Sequence, residues 1–419
     1  MRFIDVFAGC GGLSLGLLKA GCQGVAAIEK NPMAFETLRH NLIDGQRYSF
    51  DWPARLPKEA MSCEQLLIDH RRELLALAGT IDLMVGGPPC QGFSLAGRRN
   101  PADPRNKMAE QYLELVKIIR PKFIVIENVS GFNSKFNETV QADSDDDRYI
   151  KQSYAEYISG ELKSIGYFVS RGKLNCANFG VPQNRHRYFI ICSRVDSKVN
   201  LFERLLNYGE QFKVLKNLSP NKYVSVHDAI ADLEVTGKDL KENTDSPIKG
   251  FKEIEYQLPD ILPPYLRLMR DGHETAPNSL RLPNHKIDTI LQFIKIRQAS
   301  EPGKSLSKES RDKLGIKKHA ITVLAKNQPS PTITTLPDDI IHYCEPRILT
   351  ARETARIQSF PDWFEFTGKY TTGGLSRKLD CPRYTQIGNA VPPLLSEAIG
   401  LMLREQMLAE EEILEALEI

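Results

Sequence analysis

Along the first two hundred positions, apolar residues alternate between two spacings. Short, almost continuously apolar runs rich in β-branched residues predict strands at 2-RFIDVF-7, 24-GVAAIE-29, 82-DLMVGG-87, 123-FIVIEN-128 and 187-RYFIICS-193. Between them, apolar residues recur three to four apart at 12-GLSLGLLKA-20, 33-MAFETLRHNL-42, 64-EQLLIDHRRELLALA-78 and 111-QYLELVKII-119, which predicts helices. Strands apolar on both faces that alternate with helices imply a mostly parallel sheet covered on both sides. Right-handed crossovers make it a Rossmann-like, doubly wound α/β domain. In such sheets ligands gather at the carboxyl ends of the strands, where three unusual loops fall: FAGCGG, GGPPCQ and IENVSG.

After about Asp196 the alternation gives way to Pro-, Asn- and Lys-rich sequence with short apolar pieces. Residues 196–379 therefore read as a smaller, irregular domain beside a first domain of 1–195. The segment 386-QIGNAVPPLLSEAIGLML-403 is again a loop and an amphipathic helix, so 380–419 is expected to return to the first domain. The acidic tail 404-REQMLAEEEILEALEI-419 is expected to pack lightly and face solvent. The 419 residues suffice for two cores, and 41% hydrophobic with 26% charged residues is an ordinary globular composition. No apolar run reaches the ~18 residues of a membrane span. MRFIDVF opens directly as a strand, without a signal peptide's apolar run. The eight cysteines form neither a C-x-x-C pair nor a disulfide framework, and the eight histidines show no ligand spacing. A reduced, cytoplasmic protein without a metal is the expectation. Net charge is only +2, but residues 264–318 hold twelve Lys/Arg against six Asp/Glu, an excess suited to phosphates or to a merely solvated face.

Four stretches carry candidate chemistry. In 7-FAGCGG-12, glycines between a strand and a helix allow a ligand to approach backbone at a helix N-terminus, although a tight turn alone would also use them. Glu29, twenty residues after Gly9, sits where nucleotide-type sites place an acid on ribose hydroxyls; read alone it is equally a surface charge. In 85-VGGPPCQGFS-94, Pro88-Pro89 makes a stiff turn that presents Cys90, which by itself could be a small buried hydrophobe. Glu127 ends an apolar strand, so it is either ion-paired or tuned for proton transfer. Gln183, Arg185 and Arg187 occupy alternate positions, which would aim them one way.

The set FAGCGG, IEKN, GGPPCQGFS, ENV, 179-FGVPQNRHR-187, 351-ARETARIQSFPDWF-364 and QIGNAVPP resembles the DNA (cytosine-5)-methyltransferases, in that family's usual linear order. The motifs frame nearly the whole chain and leave about 200–330 as the variable target-recognition region. The resemblance implies the S-adenosylmethionine-dependent methyltransferase fold and methyl transfer to cytosine C5 in double-stranded DNA. It makes Cys90 the nucleophile and Glu127 the group that engages cytosine N3. It puts Arg187 on the base O2, with Arg185 supporting it. S-adenosylmethionine falls to Phe7, Gly9, Gly12, Glu29 and Asn389, with Pro89 near the methyl donor. Asp51 is the candidate for the adenine amino group, although its spacing to Cys90 is longer than the family pattern. The 91–106 segment reads as a phosphate-contacting lid and 133–149 as a surface excursion away from DNA. Arg267, Arg270, Arg281 and 317-KKH-319 are candidates for base readout. Of the prokaryotic restriction-modification type, the enzyme is expected to be a monomer whose functional partner is a cognate restriction endonuclease. One branch of the family acts on tRNA and carries a Cys-Phe-Thr tripeptide ahead of the RIQSFPD-type motif; the only similar piece here, 366-FTG-368, follows that motif and lacks the cysteine.

Overall fold

The computed structural model describes residues 1–88, 107–133, 153–196, 198–318, 320–371 and 380–417. It divides into two compact units. The first comprises Met1–Asn175, His186–Gly209 and Ser396–Ile419, the second Cys176–Arg185 and Glu210–Leu395. Relative to the boundaries expected from sequence, 176–185 joins the second unit, 196–209 stays with the first, and the chain returns at 396.

The first unit is built on six strands: β1 (Arg2–Val6), β2 (Gln23–Ile28), β3 (Leu83–Gly86), β4 (Phe123–Val129), β5 (Phe168–Asn175) and β6 (His186–Ser193). Their order is β2-β1-β3-β4-β6-β5. The first four run parallel, and β6 is antiparallel to both β4 and β5. This is the mostly parallel α/β sheet that the alternation predicts. Because β6 runs backwards, its first residues lie beside the carboxyl end of β4, Val129 opposite Arg187. The carboxyl edge of the sheet thus receives a fifth strand end.

One sheet face packs through Ile4, Met84, Ile124, Ile126 and Ile190 into a large core cluster, with Tyr112, Val116 and Ile119 of helix α5 (Lys107–Ile119) and Ile158 and Leu162 of α6 (Tyr154–Ser164). The run 64–78, read as one helix, is two: α3 (Cys63–Asp69) and α4 (Arg71–Ala76). The other side carries α1 (Gly12–Lys19) and the returning helix Pro393–Leu417, whose Gly400 leaves room for Leu17 and Ala20. That helix packs more tightly than its acidic composition suggests. Met402, Leu403, Gln406 and Glu410 are buried, and Arg404 donates to the carbonyl of Ala20. No helix among the described residues is long and apolar enough to cross a membrane.

The second unit has three two-residue or three-residue strand pairs and small separate cores, one around Phe293, Ile296, Ile321 and Ile341, another around Leu233, Ile254 and Leu280. A buried ionic knot also organises it. Arg356 forks onto Asp362 through Nε (2.8 Å) and Nη2 (2.8 Å), while Arg270 reaches the same carboxylate at 2.9 Å. Burial acts to raise the Asp362 pKa, yet Arg356, Arg352 and Arg270 hold it below the usual carboxylate range.

Two glycines test the packing of the first unit. A Cβ on Gly172 would lie 2.2 Å from the Phe202 ring, so Gly172→Ala should cost about 1–3 kcal/mol by overpacking. Exposed Gly160, in the middle of α6, has nothing within 4 Å, and Gly160→Ala should stabilise by up to about 1 kcal/mol. Urea unfolding midpoints that moved the same way for both would contradict this packing.

Candidate active site

Four strand ends of the first unit build the site along one edge. After β1 the chain turns at Phe7, whose φ of 64° is uncommon for an aromatic residue, and at Gly9 (φ 57°) and Gly11 (φ 95°), before α1 begins at Gly12. A Cβ on Gly9 would meet nothing within 4 Å, so space stands open over this turn. Gly11 is the opposite case, with Leu38 2.6 Å from the place of its Cβ.

Glu29 follows β2 and faces that turn. One carboxylate oxygen accepts the Gly9 N–H (3.0 Å) and the other the Asn31 N–H (2.7 Å). Burial raises its pKa, and the two amide donors act against that rise. The carboxylate is thereby oriented, with lone pairs left over for a ligand's hydroxyls. The open turn, the oriented acid and the helix start fit a nucleoside with an anionic end.

Beneath the turn lies Asp5 on β1, fully buried, whose Oδ2 accepts both the backbone N–H (3.2 Å) and the hydroxyl (2.6 Å) of Ser14. This ties the strand to the first turn of α1. Oδ1 has no hydrogen-bond partner, and burial pushes the carboxyl up to about 7.

At the end of β3, Gly86 and Gly87 let the chain pass close to its neighbours. A Cβ on Gly86 would sit 2.5 Å from the Val6 carbonyl oxygen, and one on Gly87 would sit 3.3 Å from Glu127 Oε2. Pro88 follows, buried, and its carbonyl accepts from Asn128 Nδ2 at 2.9 Å; Asn128 Oδ1 in turn accepts the Val129 N–H at 2.9 Å. At the end of β4, Glu127 Oε1 pairs with Arg187 Nε at 2.9 Å, both side chains being only slightly exposed. Pro89 and Cys90 lie outside the described residues, as do the whole 91–106 lid and all but the first residue of the 133–149 excursion.

Comparison with known proteins decides the family. Residues 1–405 match the model of the C-5 cytosine-specific DNA methylases. The chain belongs to that family. It is 33% identical over 414 residues to the Type II methyltransferase M.DdeI of Desulfomicrobium norvegicum, covering 96% of this chain and 88% of that one. It is 29% identical to M.XorII of Xanthomonas oryzae pv. oryzae, covering 95% and 83%. Among solved structures it resembles a protein described as an E. coli prophage-encoded DNA modification methyltransferase, with a TM-score of 0.64 at 23% identity over 97% of this chain and 99% of that one. That likeness extends the methyltransferase fold to this chain. The protein is thus a DNA cytosine-5-methyltransferase.

Within this methylase, the structure brings Phe7, Gly9, Gly12, Glu29, Glu127 and Arg187 to one edge of the first unit's sheet. Asp51 is elsewhere. Its N–H donates to the carbonyl of Gly24 (2.8 Å) and its exposed carboxylate pairs with Arg2 (3.1 Å), which places it at the amino ends of β1 and β2. The segment that does return beside Glu29 is Met61–Cys63, where the Met61 N–H donates to the Glu29 carbonyl at 2.9 Å and Ser62 caps α3. Arg185 and Asn389 belong to the second unit, where Arg185 is buried against backbone carbonyls and Asn389 is exposed.

Gln183 and Arg185 do converge, both on the backbone of Ile333, whereas Arg187 pairs with Glu127. The N–H of Gln183 bonds the carbonyl of Val181 and that of Arg185 bonds Gln183, both two residues back, so the ladder of β6 begins only at His186. The readout candidates also separate. Arg270 is consumed by Asp362 and by the carbonyls of His273 and Thr275. Arg281 is sandwiched between the rings of Phe251 (4.1 Å) and Tyr370 (3.9 Å). Arg267 and Lys317 remain exposed, and His319 is outside the described residues. Among the described residues no His, Cys, Asp and Glu cluster is arranged to hold a metal.

Sequence reasoning passed over Asp5 and Asn128. The signal for each was there: a polar residue inside a strand that is otherwise apolar needs a partner. The Asp5 carboxyl generates a pH prediction. Its folded pKa lies above the unfolded value, so the fold holds a proton that the unfolded chain releases between about pH 4 and pH 7. Stability should therefore fall as pH rises through that window. In Asp5→Asn, which keeps an acceptor for Ser14, that part of the slope should vanish. Unfolding midpoints with the same pH dependence in both proteins would refute the protonated, buried carboxyl.

Proposed function

We propose that the enzyme methylates C5 of a cytosine flipped out of a specific duplex DNA sequence, through a covalent bond between Cys90 and cytosine C6. The observation that carries this reading is the Glu127–Arg187 pair, held at the sheet edge beside Gly87 and Pro88, two residues before Cys90. A target base must leave the stack before C6 can be attacked, at a cost of a few kcal/mol. The Cys90 thiolate adds to C6, and electron density moves towards N3 and C5. The Glu127 carboxyl hydrogen-bonds N3 and passes it a proton as that density arrives, and the resulting carboxylate is held by Arg187. Arg187 orients the Glu127 carboxylate and donates to O2.

S-adenosylmethionine supplies, when bound, the electrophilic sulfonium methyl that C5 takes. Phe7, Gly9, Gly12 and Glu29 are the residues proposed to hold it, Glu29 on the ribose hydroxyls, with Asn389 and Pro89 assigned by their motifs. Met61–Cys63 replaces Asp51 as the segment proposed beside the adenine. After transfer, N3 returns its proton to Glu127, the C5 proton leaves to solvent, the C5–H electrons re-form the C5–C6 double bond, and the S–C6 electrons depart with sulfur, which frees the Cys90 thiolate. Asn128, by holding the Pro88 carbonyl, limits where the following thiol can lie; misplacement by about an ångström can cost 10²-fold. Three other thiols are poorly suited to the role, since burial pushes Cys22 and Cys344 up to about 11 and Cys63 to about 12. The methylation is proposed to protect DNA from a cognate restriction endonuclease, with sequence choice made in 200–330.

Two outcomes test this. A duplex whose target cytosine carries fluorine at C5 cannot lose that substituent as a cation. It should be methylated and then remain bonded to the peptide containing Cys90. Cys90→Ser should abolish the adduct, and replacing Cys10 should not. An adduct on another cysteine, or trapping of tRNA in preference to duplex DNA, would overturn the reading. Separately, Glu127→Gln should lower turnover by about 10²-fold or more while leaving calorimetric affinity for S-adenosylmethionine near that of the native protein. Parallel loss of cofactor affinity would move Glu127 to the cofactor site.

A further inference from the structure

Four segments far apart in sequence meet inside the second unit through two buried amides and one buried guanidinium. Gln183 Oε1 accepts the N–H of Ile333 at 2.9 Å, and Gln183 Nε2 donates to Gln358 Oε1 at 2.6 Å. Gln358 Nε2 then donates to the carbonyls of Ile387 (2.8 Å) and Ala390 (3.1 Å). Arg185 closes the ring, with Nη1 on the Ile333 carbonyl (3.2 Å) and Nη2 on that of Gly388 (3.1 Å). Gln183 and Gln358 are fully buried and Arg185 is 2% exposed. The relay has a direction, since each amide donates onward and accepts from behind. Neither amide can flip without setting donor against donor.

The backbone it grips has no slack. A Cβ on Gly388 would lie 2.4 Å from the Thr334 carbonyl oxygen and 3.0 Å from the Thr335 nitrogen. The carbonyls of 387, 388 and 390 are thus fixed on both sides of Asn389, the exposed last residue of the short helix Arg383–Asn389.

We infer that Gln183, Arg185 and Gln358 are positioning residues that set the backbone around Asn389 for cofactor binding. This rests on the proposed assignment of Asn389 to the cofactor. It removes Arg185 from the groups that touch the base. Its guanidinium is spent on two carbonyls, whereas the Arg187 guanidinium reaches Glu127.

The test is a double-mutant cycle read by calorimetry with S-adenosylmethionine, with thermal unfolding recorded on each protein. Gln358→Met keeps the volume and removes the donors that hold 387 and 390. It should weaken cofactor binding about tenfold in the native background and add nothing in the Asn389→Ala background. A general loss of stability would not produce that selectivity. Where Gln358→Met fails to fold, Arg185→Lys carries the same cycle, because a single ammonium cannot span the carbonyls of Ile333 and Gly388. Unchanged affinity in the clamp variant, or equal weakening in both backgrounds, would overturn the inference. An Asn389→Ala protein that binds S-adenosylmethionine like the native one would overturn the Asn389 assignment and the clamp together. Trapping at Cys90 reports on methyl transfer independently of either.

Discussion

The first unit depends on how closely the end of β3 can approach the strands on either side. Gly86 lies against the Val6 carbonyl, and Gly87 lies against the carboxylate of Glu127. A side chain at either place would force the cofactor-side turn after β1 and the acid after β4 away from Pro88. Two glycines are entropically costly in a strand, and this pair is tolerable because parallel neighbours over-determine it. The double proline that follows then removes the freedom the glycines introduced. Looseness of shape and stiffness of chain sit side by side, each where the geometry requires it.

The strands beside this edge were legible because both their faces are buried, which leaves an unbroken apolar run. Strand β5 was missed for the converse reason. It forms the sheet's border, mixes exposed Phe168 and Lys173 with half-buried polar residues, and shows no run at all. The single helix read over 64–78 contains a capped start at Ser62 but breaks at His70, which periodicity alone could not locate. Asp51 lies away from the carboxyl edge because position along the strand, not position along the chain, decides which end of the sheet a residue reaches. The residue follows a long connection that runs back to the amino ends, and only near Met61 does the chain regain the carboxyl edge.

Charge was the least legible property. The excess of basic residues in 264–318 suggested a surface for phosphates, but counting cannot tell an arginine in solvent from one in a knot. Arg270 is enclosed by Asp362 and backbone carbonyls, and Arg281 by two aromatic rings. Removing Arg270 would leave the buried Asp362 carboxylate short of a partner and removing Arg281 would lose packing between two rings, so loss of activity in such variants would report on folding before it reported on DNA. Arg267, Lys286, Lys295, Lys308 and Lys317 are the exposed basic side chains of this stretch that make no ion pair among the described residues. Lys286, Lys295 and Lys308 fall on or beside the helices Ile287–Ala299 and Lys308–Lys313.

Depth along one face of the sheet separates the roles of two carboxyls that the sequence makes look alike. Asp5 pairs in register with Val85, and Val85 with Val125, so Asp5 lies on the same face as Glu127 but one pleat further from the edge. At that depth solvent is absent, one oxygen is spent on Ser14, and the carboxyl is pushed up to about 7. One pleat higher, Glu127 meets Arg187, because the reversed strand β6 begins its run at the edge. A carboxyl held neutral can brace a turn without bringing a second negative charge towards Glu29. A carboxylate paired with an arginine can instead be offered to a substrate that needs a proton shared. The antiparallel insertion of β6 into an otherwise parallel set is what delivers that arginine, and so the topology of the sheet, more than any single motif, separates the enclosed acid from the arginine-paired one.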